Sequence, residues 1–275
     1  MPTPAQSKEK VEAVLPLPRK WSSIMVAAHI VLAFAVAFIA AWLLHPGYNL
    51  IAVLVIEAYV IAVIGLGKMN NIFGIFINER NLMSLSRLQV VVWTLLITSS
   101  FFTVFVERLA SATADPLNIE VDPSLWTLMG ISVSSALFGA MIQNTKKNRT
   151  VDIELKNTLI RKADAAYGQG EDQIAENLQG TLFANTSYTE ARFTDIFEGE
   201  EIQNHAYIDI AKVQMFIFSA ITFIAYFAAA FSLIHKAGVP TQLPILNDQF
   251  LALIGVSHGG YLIGKIPNYT KSTPE

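Results

Sequence analysis

The sequence predicts an all-α integral membrane protein with six transmembrane helices arranged as three hairpins. Three observations predict this fold class: long apolar blocks, basic residues concentrated in alternate loops, and an internal repeat that relates the second and third hairpins. Of the 275 residues, 53% are hydrophobic and 15% are charged, and the mean hydropathy is +0.44. A soluble helix carries a polar stripe along one side, whereas residues 26–44 carry almost none. We therefore expect lipid to surround these helices.

The composition and motifs also exclude several kinds of functional site. The chain has no cysteine, which excludes disulfides, thiolate metal sites, iron–sulfur clusters and a cysteine nucleophile. A formal net charge of −3 argues against nucleic-acid binding. The sequence contains no P-loop, H-E-x-x-H motif, dinucleotide fingerprint or EF-hand loop, and its histidines are scattered. We expect no cofactor and no metal ion.

The six predicted spans follow from block length, because a helix needs about 20 apolar residues to cross a bilayer. The blocks lie at residues 22–44, 50–67, 88–106, 125–142, 213–234 and 250–266. The first block lacks a small-x-small cleavage site, so we expect a retained span and not a signal peptide. The predicted divisions are a cytosolic tail at 1–20, a first hairpin at 21–67, a juxtamembrane segment with the second hairpin at 68–142, a cytosolic helical segment at 143–211, and the third hairpin with a short tail at 212–275.

Orientation follows from the basic residues, which favour the cytosolic side of a membrane. If the amino terminus is cytosolic, 17 of the 19 Lys and Arg residues fall on that side. Arg108 and Lys236 are the exceptions. We expect both termini to be cytosolic.

An internal repeat appears when the chain is shifted by 125 residues. The shift places Leu128, Gly130 and Ser132 on Leu253, Gly255 and Ser257. Both copies enter the membrane from the same side, so the repeat is parallel. Each copy begins with a basic residue that we expect to reach lipid phosphates, followed by a glutamine that we expect to hydrogen-bond across the entry; these anchors are Arg87, Gln89, Lys212 and Gln214.

Small residues spaced four apart recur in the returning helices of the two copies. Such spacing lets helix backbones approach closely within a membrane. It predicts tight helix packing within or between subunits, and hence a homo-oligomer. The residues are Gly130, Ser134, Ser135, Gly139, Gly255, Gly259, Gly260 and Gly264.

Ionisable residues inside the spans predict either a proton or ion path or an interhelical hydrogen bond. Glu57 lies near the middle of the second span, where a charge costs at least about 2.5 kcal/mol. His258 and His29 lie at depths from which either could reach Glu57. Thr94 and Thr98 share one face of the third span, although hydroxyls in membrane helices often bond their own backbone.

An enzymatic interpretation rests on two weak motifs. Residues 255–259 match the G-x-S-x-G pattern of a nucleophile elbow, but that motif needs a strand-to-helix turn and not a membrane helix. The chain is also similar to rhomboid intramembrane serine proteases, in having six spans with Ser132 on the fourth and His258 on the sixth. It departs from them at Val133, where the family has glycine, and in lacking a matching His-x-x-x-Asn on the second span.

The segment 143–211 contains two short apolar stripes, Val151, Leu155 and Leu159 and then Ile174, Leu178 and Leu182. An acidic, aromatic run follows at 195–201. The run is either a solvated loop or a docking motif for a basic partner. The candidate docking residues are Arg192, Phe193, Asp195, Phe197 and Glu200.

Two motifs carry a family resemblance. Residues 84–89 read S-L-S-R-L-Q and are followed by Trp93 and Thr94, while residues 128–132 read L-M-G-I-S. Over roughly residues 70 to 266 the chain resembles a family of bacterial integral membrane proteins with these motifs. The resemblance implies the bacterial inner membrane and supplies no catalytic or binding residue.

Together these features predict a non-enzymatic anchor or scaffold that presents residues 143–211 to a cytosolic protein partner. An oligomeric ion or proton channel or transporter that uses Glu57 is the alternative. A rhomboid-like protease is a more remote one.

Overall fold

The computed structural model describes residues 21–152, 154, 157–158, 160–161, 164–165, 179–185, 187–236, 238–270 and 272–273. The predicted tail at 1–20 and most of the two short stripes between 151 and 182 lie outside the described residues.

The described chain contains six helices of 18 residues or more. They are α1 (Ser23–Leu43), α2 (Tyr48–Met69), α3 (Leu85–Ala110), α4 (Pro123–Lys147), α5 (Ile210–His235) and α6 (Asp248–Lys265). The helices α1 to α5 are long and apolar enough to cross a membrane, which indicates a multi-pass membrane protein. Two strands of two residues, β1 (Thr150–Val151) and β2 (Ser272–Thr273), pair antiparallel beside this helical body.

Polar caps fix where most of the helices begin. A side-chain oxygen of the preceding residue accepts a backbone N–H of the first turn, which is otherwise unpaired. Gly47, at φ +90°, makes the tight turn between α1 and α2 that a residue with a side chain would disfavour. The capping residues are Ser22, Ser84, Asp122, Asp209 and Asn247 for α1, α3, α4, α5 and α6.

The helices α3 to α6 form a four-helix bundle, with α1 and α2 packed beside it. Helix α3 contacts α4 and α5, and α6 contacts α4 and α5, while α1 and α2 pack on each other and on α3. The loops after α3 and α5 meet at one end, where Glu120 N–H donates to Thr241 O and Leu243 N–H donates to Glu120 O, both at 2.9 Å. The bundle core includes Trp93, Leu128, Tyr226 and Ile254.

Equivalent helices begin at positions 125 residues apart. Both α3 and α5 have 26 residues, starting at Leu85 and Ile210, and α4 and α6 start at Pro123 and Asp248. The small residues differ between the copies, since Gly139 is buried and Gly264 is exposed.

Residues 179–185 and 187–209, which we call the cap, close the end of the bundle where α4 and α6 terminate. Asn185 N–H donates to Arg80 O at 2.9 Å, and Ile202 N–H donates to Thr181 O at 3.1 Å. Gly180 has φ +61°, and a side chain there would collide with the carbonyls of Lys146 and Lys147. The cap is therefore seated directly on the helices.

Candidate functional site

The centre of the cap is a carboxylate, Glu200, whose side chain is 12% exposed and which is surrounded by three cations. Its Oε1 lies 2.7 Å from Lys265 Nζ, 3.4 Å from Lys212 Nζ and 3.9 Å from Arg80 Nη2. Gln143 Nε2 donates to the other oxygen, Oε2, at 2.8 Å. The cations come from the α2–α3 loop, the first turn of α5 and the last turn of α6, so one side chain joins three parts of the chain to the cap.

This group, which we call the Glu200 cluster, carries more positive than negative charge. Backbone carbonyls accept further donors of the cluster: Arg80 Nη1 donates to Phe183 O and to Glu200 O, both at 3.1 Å, and Lys212 Nζ donates to Glu198 O at 2.6 Å. Burial alone would raise the pKa of Glu200, but Lys265, Lys212 and Arg80 outweigh it and hold that pKa well below its ordinary value. The carboxylate is ionised at neutral pH.

A second buried ion pair lies beside the cluster. Lys146 Nζ is 2.5 Å from Glu201 Oε1, and both side chains are buried. The other oxygen of Glu201 accepts the backbone N–H groups of Tyr269 at 3.0 Å and Thr270 at 2.8 Å. The pair therefore joins the end of α4 to the segment that follows α6.

His205 is buried in the cap and stacks on Phe183, with ring centroids 3.6 Å apart. Its Nδ1 is 3.2 Å from Gly199 O, and its Nε2 is 3.4 Å from Glu198 Oε2. Two such acceptors favour a protonated ring, but burial, together with repulsion from Arg80 and Lys212, lowers the pKa of His205 to about 3. The ring is neutral at physiological pH and packs as an aromatic side chain.

Carboxylates of the acidic run that are paired inside the chain contradict both interpretations that its sequence left open, a solvated loop and a docking motif for a basic partner. Asp195 is buried, and its Oδ2 accepts N–H groups of Met83 and Arg192 at 3.1 and 2.9 Å. Burial raises the pKa of Asp195 despite these bonds. The carboxylate of Glu200 is paired inside the chain, and Phe197 packs edge-on against Phe216 of α5. The exposed members of the predicted set are Arg192 and Phe193.

An apolar pocket of about 440 Å³ lies beside these two exposed residues. The Phe193 ring lines it and is 53% exposed, and Ile196 of the cap and Leu88 of α3 contribute further walls. Residues of the α2–α3 connection complete the lining. The pocket is thus formed between the cap and the start of α3.

The four predicted membrane anchors have different environments. Lys212 is buried in the Glu200 cluster, so the expectation that it reaches lipid phosphates is wrong. Arg87 is partly exposed and pairs with Glu79 at 2.6 Å. Gln89 donates from Nε2 to Ser219 Oγ of α5 at 2.6 Å, across the entry, whereas Gln214 is exposed.

Glu57 binds hydroxyl groups and not a histidine. Its Oε2 accepts hydrogen bonds from Thr98 Oγ1 at 2.7 Å and Ser99 Oγ at 2.9 Å. His29 Nδ1 instead contacts Met25 O at 2.7 Å in its own helix. A Glu57–histidine pair is therefore absent from the described residues, where hydroxyls of α3 bind the carboxylate instead. The other predicted hydroxyl, Thr94 Oγ1, donates to Val90 O.

His258 and Ser132 lie inside the four-helix bundle, and both are buried. Within the described residues, neither the ring nitrogens of His258 nor the Oγ of Ser132 have a hydrogen-bond partner. The serine–histidine hydrogen bond of the rhomboid comparison is therefore not formed.

The predicted packing residues mostly face away from the bundle. A side-chain methyl placed at Gly130, Gly259, Gly260 or Gly264 would have no described atom within 4 Å, and Ser134 is exposed. Gly255 has one ordinary contact, with Ile131. Gly139 and Ser135 are buried, and Gly139 faces Lys265 Nζ. Packing between subunits remains a prediction for the exposed residues.

Comparisons with family models, curated proteins and solved structures give no match.

Within the described residues, no three His, Asp or Glu side chains come together as a metal site. The residues that sequence reasoning missed are three cations that pair with the acidic run, Arg80, Lys146 and Lys265, together with Glu201 inside the run, which pairs with Lys146. One sequence signal was present: basic residues recur at the end of each predicted span nearest the acidic run. Such residues are also expected from the positive-inside rule, so their pairing could not be deduced.

Proposed function

We propose that this chain is a non-enzymatic membrane anchor or scaffold whose cap binds a cytosolic protein partner. The observation that carries the proposal is the half-exposed Phe193 at the mouth of the 440 Å³ pocket, on a segment held to the helices by buried ion pairs. Interface anchors are commonly aromatic residues or arginines next to a well-formed pocket. Arg192 supplies the exposed charge, so the favoured partner segment is apolar and acidic and not basic.

The test uses Phe193→Ala in the full-length protein, purified in native-lipid nanodiscs and used as bait with cytosol from its own source. We expect a captured partner to lose at least about tenfold in affinity, as a hot-spot truncation of about 1.4 kcal/mol or more would produce. Tyr207→Ala is the matched control, because Tyr207 is 71% exposed and does not line the pocket. Equal loss in both variants, or in neither, would contradict the proposed surface.

We further propose the complete topology: six spans in three hairpins, both termini in the cytosol, and the bacterial inner membrane as the location. Helix α6 is the sixth span in this proposal. It packs beside α4 and α5 and starts at the same end of the bundle as α4. The equal lengths of α3 and α5 and the 125-residue spacing of the helix starts support duplication of one hairpin. The exposed small residues of α4 and α6 support a homo-oligomer.

The second candidate function is an ion or proton path through Glu57. What favours it is a carboxylate within a membrane-spanning helix that accepts two hydroxyl hydrogen bonds, a ligand set suited to a proton or a small cation. In liposomes, we expect Glu57→Gln to abolish flux if this candidate is right. Glu107→Gln is the control, since Glu107 lies near the end of α3 and bonds Asn49. Flux that persists in Glu57→Gln would remove the candidate.

A further inference from the structure

Five buried polar side chains on the helices of the four-helix bundle have no hydrogen-bond partner within the described part of the chain. They are Thr103 of α3, Ser132 and Ser135 of α4, Tyr226 of α5 and His258 of α6. Each is at most 3% exposed. All four helices of the bundle contribute at least one of these groups, so the feature is not confined to one helix.

Neighbouring hydroxyls in the same bundle are satisfied by their own helix. Ser100 Oγ donates to Leu96 O at 2.7 Å, Thr222 Oγ1 donates to Phe218 O at 2.8 Å, and Ser257 Oγ donates to Ile254 O at 2.9 Å. This is the usual arrangement for hydroxyls in membrane helices. Ser132, Ser135 and Thr103 do not adopt it, so their oxygens remain available to a group inside the bundle.

Four of the five side chains lie at nearly the same depth. Ser132 lies nine positions after the first residue of α4, and His258 lies ten positions after the first residue of α6. Tyr226 lies nine positions before the last residue of α5, and Thr103 lies seven positions before the last residue of α3. These helix ends meet at one end of the bundle. At about 1.5 Å per residue, the four groups lie about 10 to 15 Å from that end. Ser135 is one turn deeper.

We infer that this level of the bundle is an internal water-binding site. An unpaired polar group in hydrocarbon costs several kcal/mol, and an aromatic or aliphatic ligand would leave all five groups unpaired. A neutral imidazole has one donor and one acceptor nitrogen, and each hydroxyl can do both, which matches the hydrogen bonds that water offers. Ordered water at buried sites typically makes about two to four such bonds.

One residue of α6, Tyr261, lies between the proposed water site and the Glu200 cluster. Tyr261 follows His258 by one turn of α6, and its hydroxyl lies 3.2 Å from Ser86 Oγ and 3.5 Å from Glu200 Oε1. Polar groups are therefore present at successive depths from the cap to the middle of the bundle. The inference does not depend on the proposed partner surface, which lies on the outside of the cap.

The test is X-ray radiolytic footprinting of the full chain in nanodiscs, in which water bound next to a side chain generates the hydroxyl radicals that oxidise it. We expect oxidation of His258 and Tyr226, although both are buried. His45 and Tyr48 are matched controls, because they are exposed at the α1–α2 turn and should be oxidised by bulk water. Oxidation of both control residues without oxidation of His258 and Tyr226 would overturn the inference.

A variant pair tests whether the serines hold the water. The double change Ser132→Ala and Ser135→Ala removes two of the proposed ligands, and we expect loss of most of the oxidation at His258. Ser134→Ala changes an exposed neighbour on the same helix and should leave oxidation unchanged. Unchanged oxidation in the double variant would also overturn the inference as stated.

Discussion

The carboxylates of residues 195–201 differ in what they bind, although they are neighbours in sequence. Asp195 accepts backbone N–H groups, Glu200 holds cations from three parts of the chain, and Glu201 pairs with Lys146. Removing one member of such a buried pair leaves an uncompensated charge, which costs about 3–5 kcal/mol. The cap is therefore most sensitive to single changes at these positions.

Replacing Glu200 tests how sensitive the cap is to the loss of one charged side chain. We expect Glu200→Gln to lower the free energy of unfolding at pH 7 by about 3–5 kcal/mol, because three buried cations lose their partner. The ordinary pKa of this carboxyl is 4.5, and the folded value is held well below it. The stabilisation by Glu200 is thus fully present above pH 4.5 and is lost as the pH falls through the folded pKa.

The measurement is denaturant unfolding in mixed micelles between pH 3 and pH 8, comparing Glu200→Gln with the unsubstituted chain. The difference in the free energy of unfolding between the two proteins should shrink below about pH 4.5. Glu79→Gln serves as the control, since Glu79 is exposed in its pair with Arg87. This change should lower the free energy of unfolding by about 0–1 kcal/mol. A difference that does not change with pH would contradict the assigned charge state.

The environments and contacts of single side chains could be predicted only in part. Glu57 stands out because a carboxylate in an apolar block is unusual, and the sequence shows that context directly. Its binding to Thr98 and Ser99 depends on how α2 rotates against α3, which local sequence does not specify. Glu200 and Lys265 are 65 positions apart, and no local pattern links a loop carboxylate to a helix-terminal lysine.

At the scale of elements, α3 and α5 are joined by a polar contact in the first half of each helix. Gln89 Nε2 donates to Ser219 Oγ at 2.6 Å and to Met215 O at 3.4 Å. Trp93 packs against Phe223 one turn further along the same helix pair. A polar bond followed by an aromatic contact fixes the rotation of one helix against the other.

The glutamines of the two helices offer a matched test. We expect Gln89→Ala to lower stability by about 1–2 kcal/mol, because interhelical hydrogen bonds and side-chain packing in membranes have values of this order. Gln214→Ala changes the equivalent position in α5, where the side chain is exposed, and should lie within about 0.5 kcal/mol of the parent. Thermal unfolding in detergent measures both variants. A smaller effect for Gln89→Ala than for Gln214→Ala would refute this account of the helix contact.

The positions of α1 to α5 were predictable because each contains a continuous apolar block, and most have a capping residue before them. The fold of the cap was not predictable, since residues 179–209 have no helical period and their fold depends on cations supplied by α4, α5 and α6. The sequence therefore predicted a presented segment, where the structure has one packed against the helices.

On the scale of the whole molecule, the loops after α3 and α5 lie at one end of the bundle and the cap at the other. In the proposed topology, a reporter fused at Asp115, in the α3–α4 loop, faces the periplasm. A reporter at Thr150, just after α4, faces the cytosol. We expect alkaline phosphatase to be active at Asp115 and inactive at Thr150, with a fluorescent reporter giving the opposite pattern. Activity of the same reporter at both positions would contradict an α4 that crosses the bilayer.

The bonds that Glu201 makes to Tyr269 and Thr270 have a practical consequence for labelling. Lys146 Nζ also binds Pro267 O at 2.9 Å, so this segment is tied to the last turn of α4. Tyr269 is 45% exposed, so a fluorophore attached there would be accessible. Its position would follow any displacement of α4, which makes this segment a useful place for a distance probe.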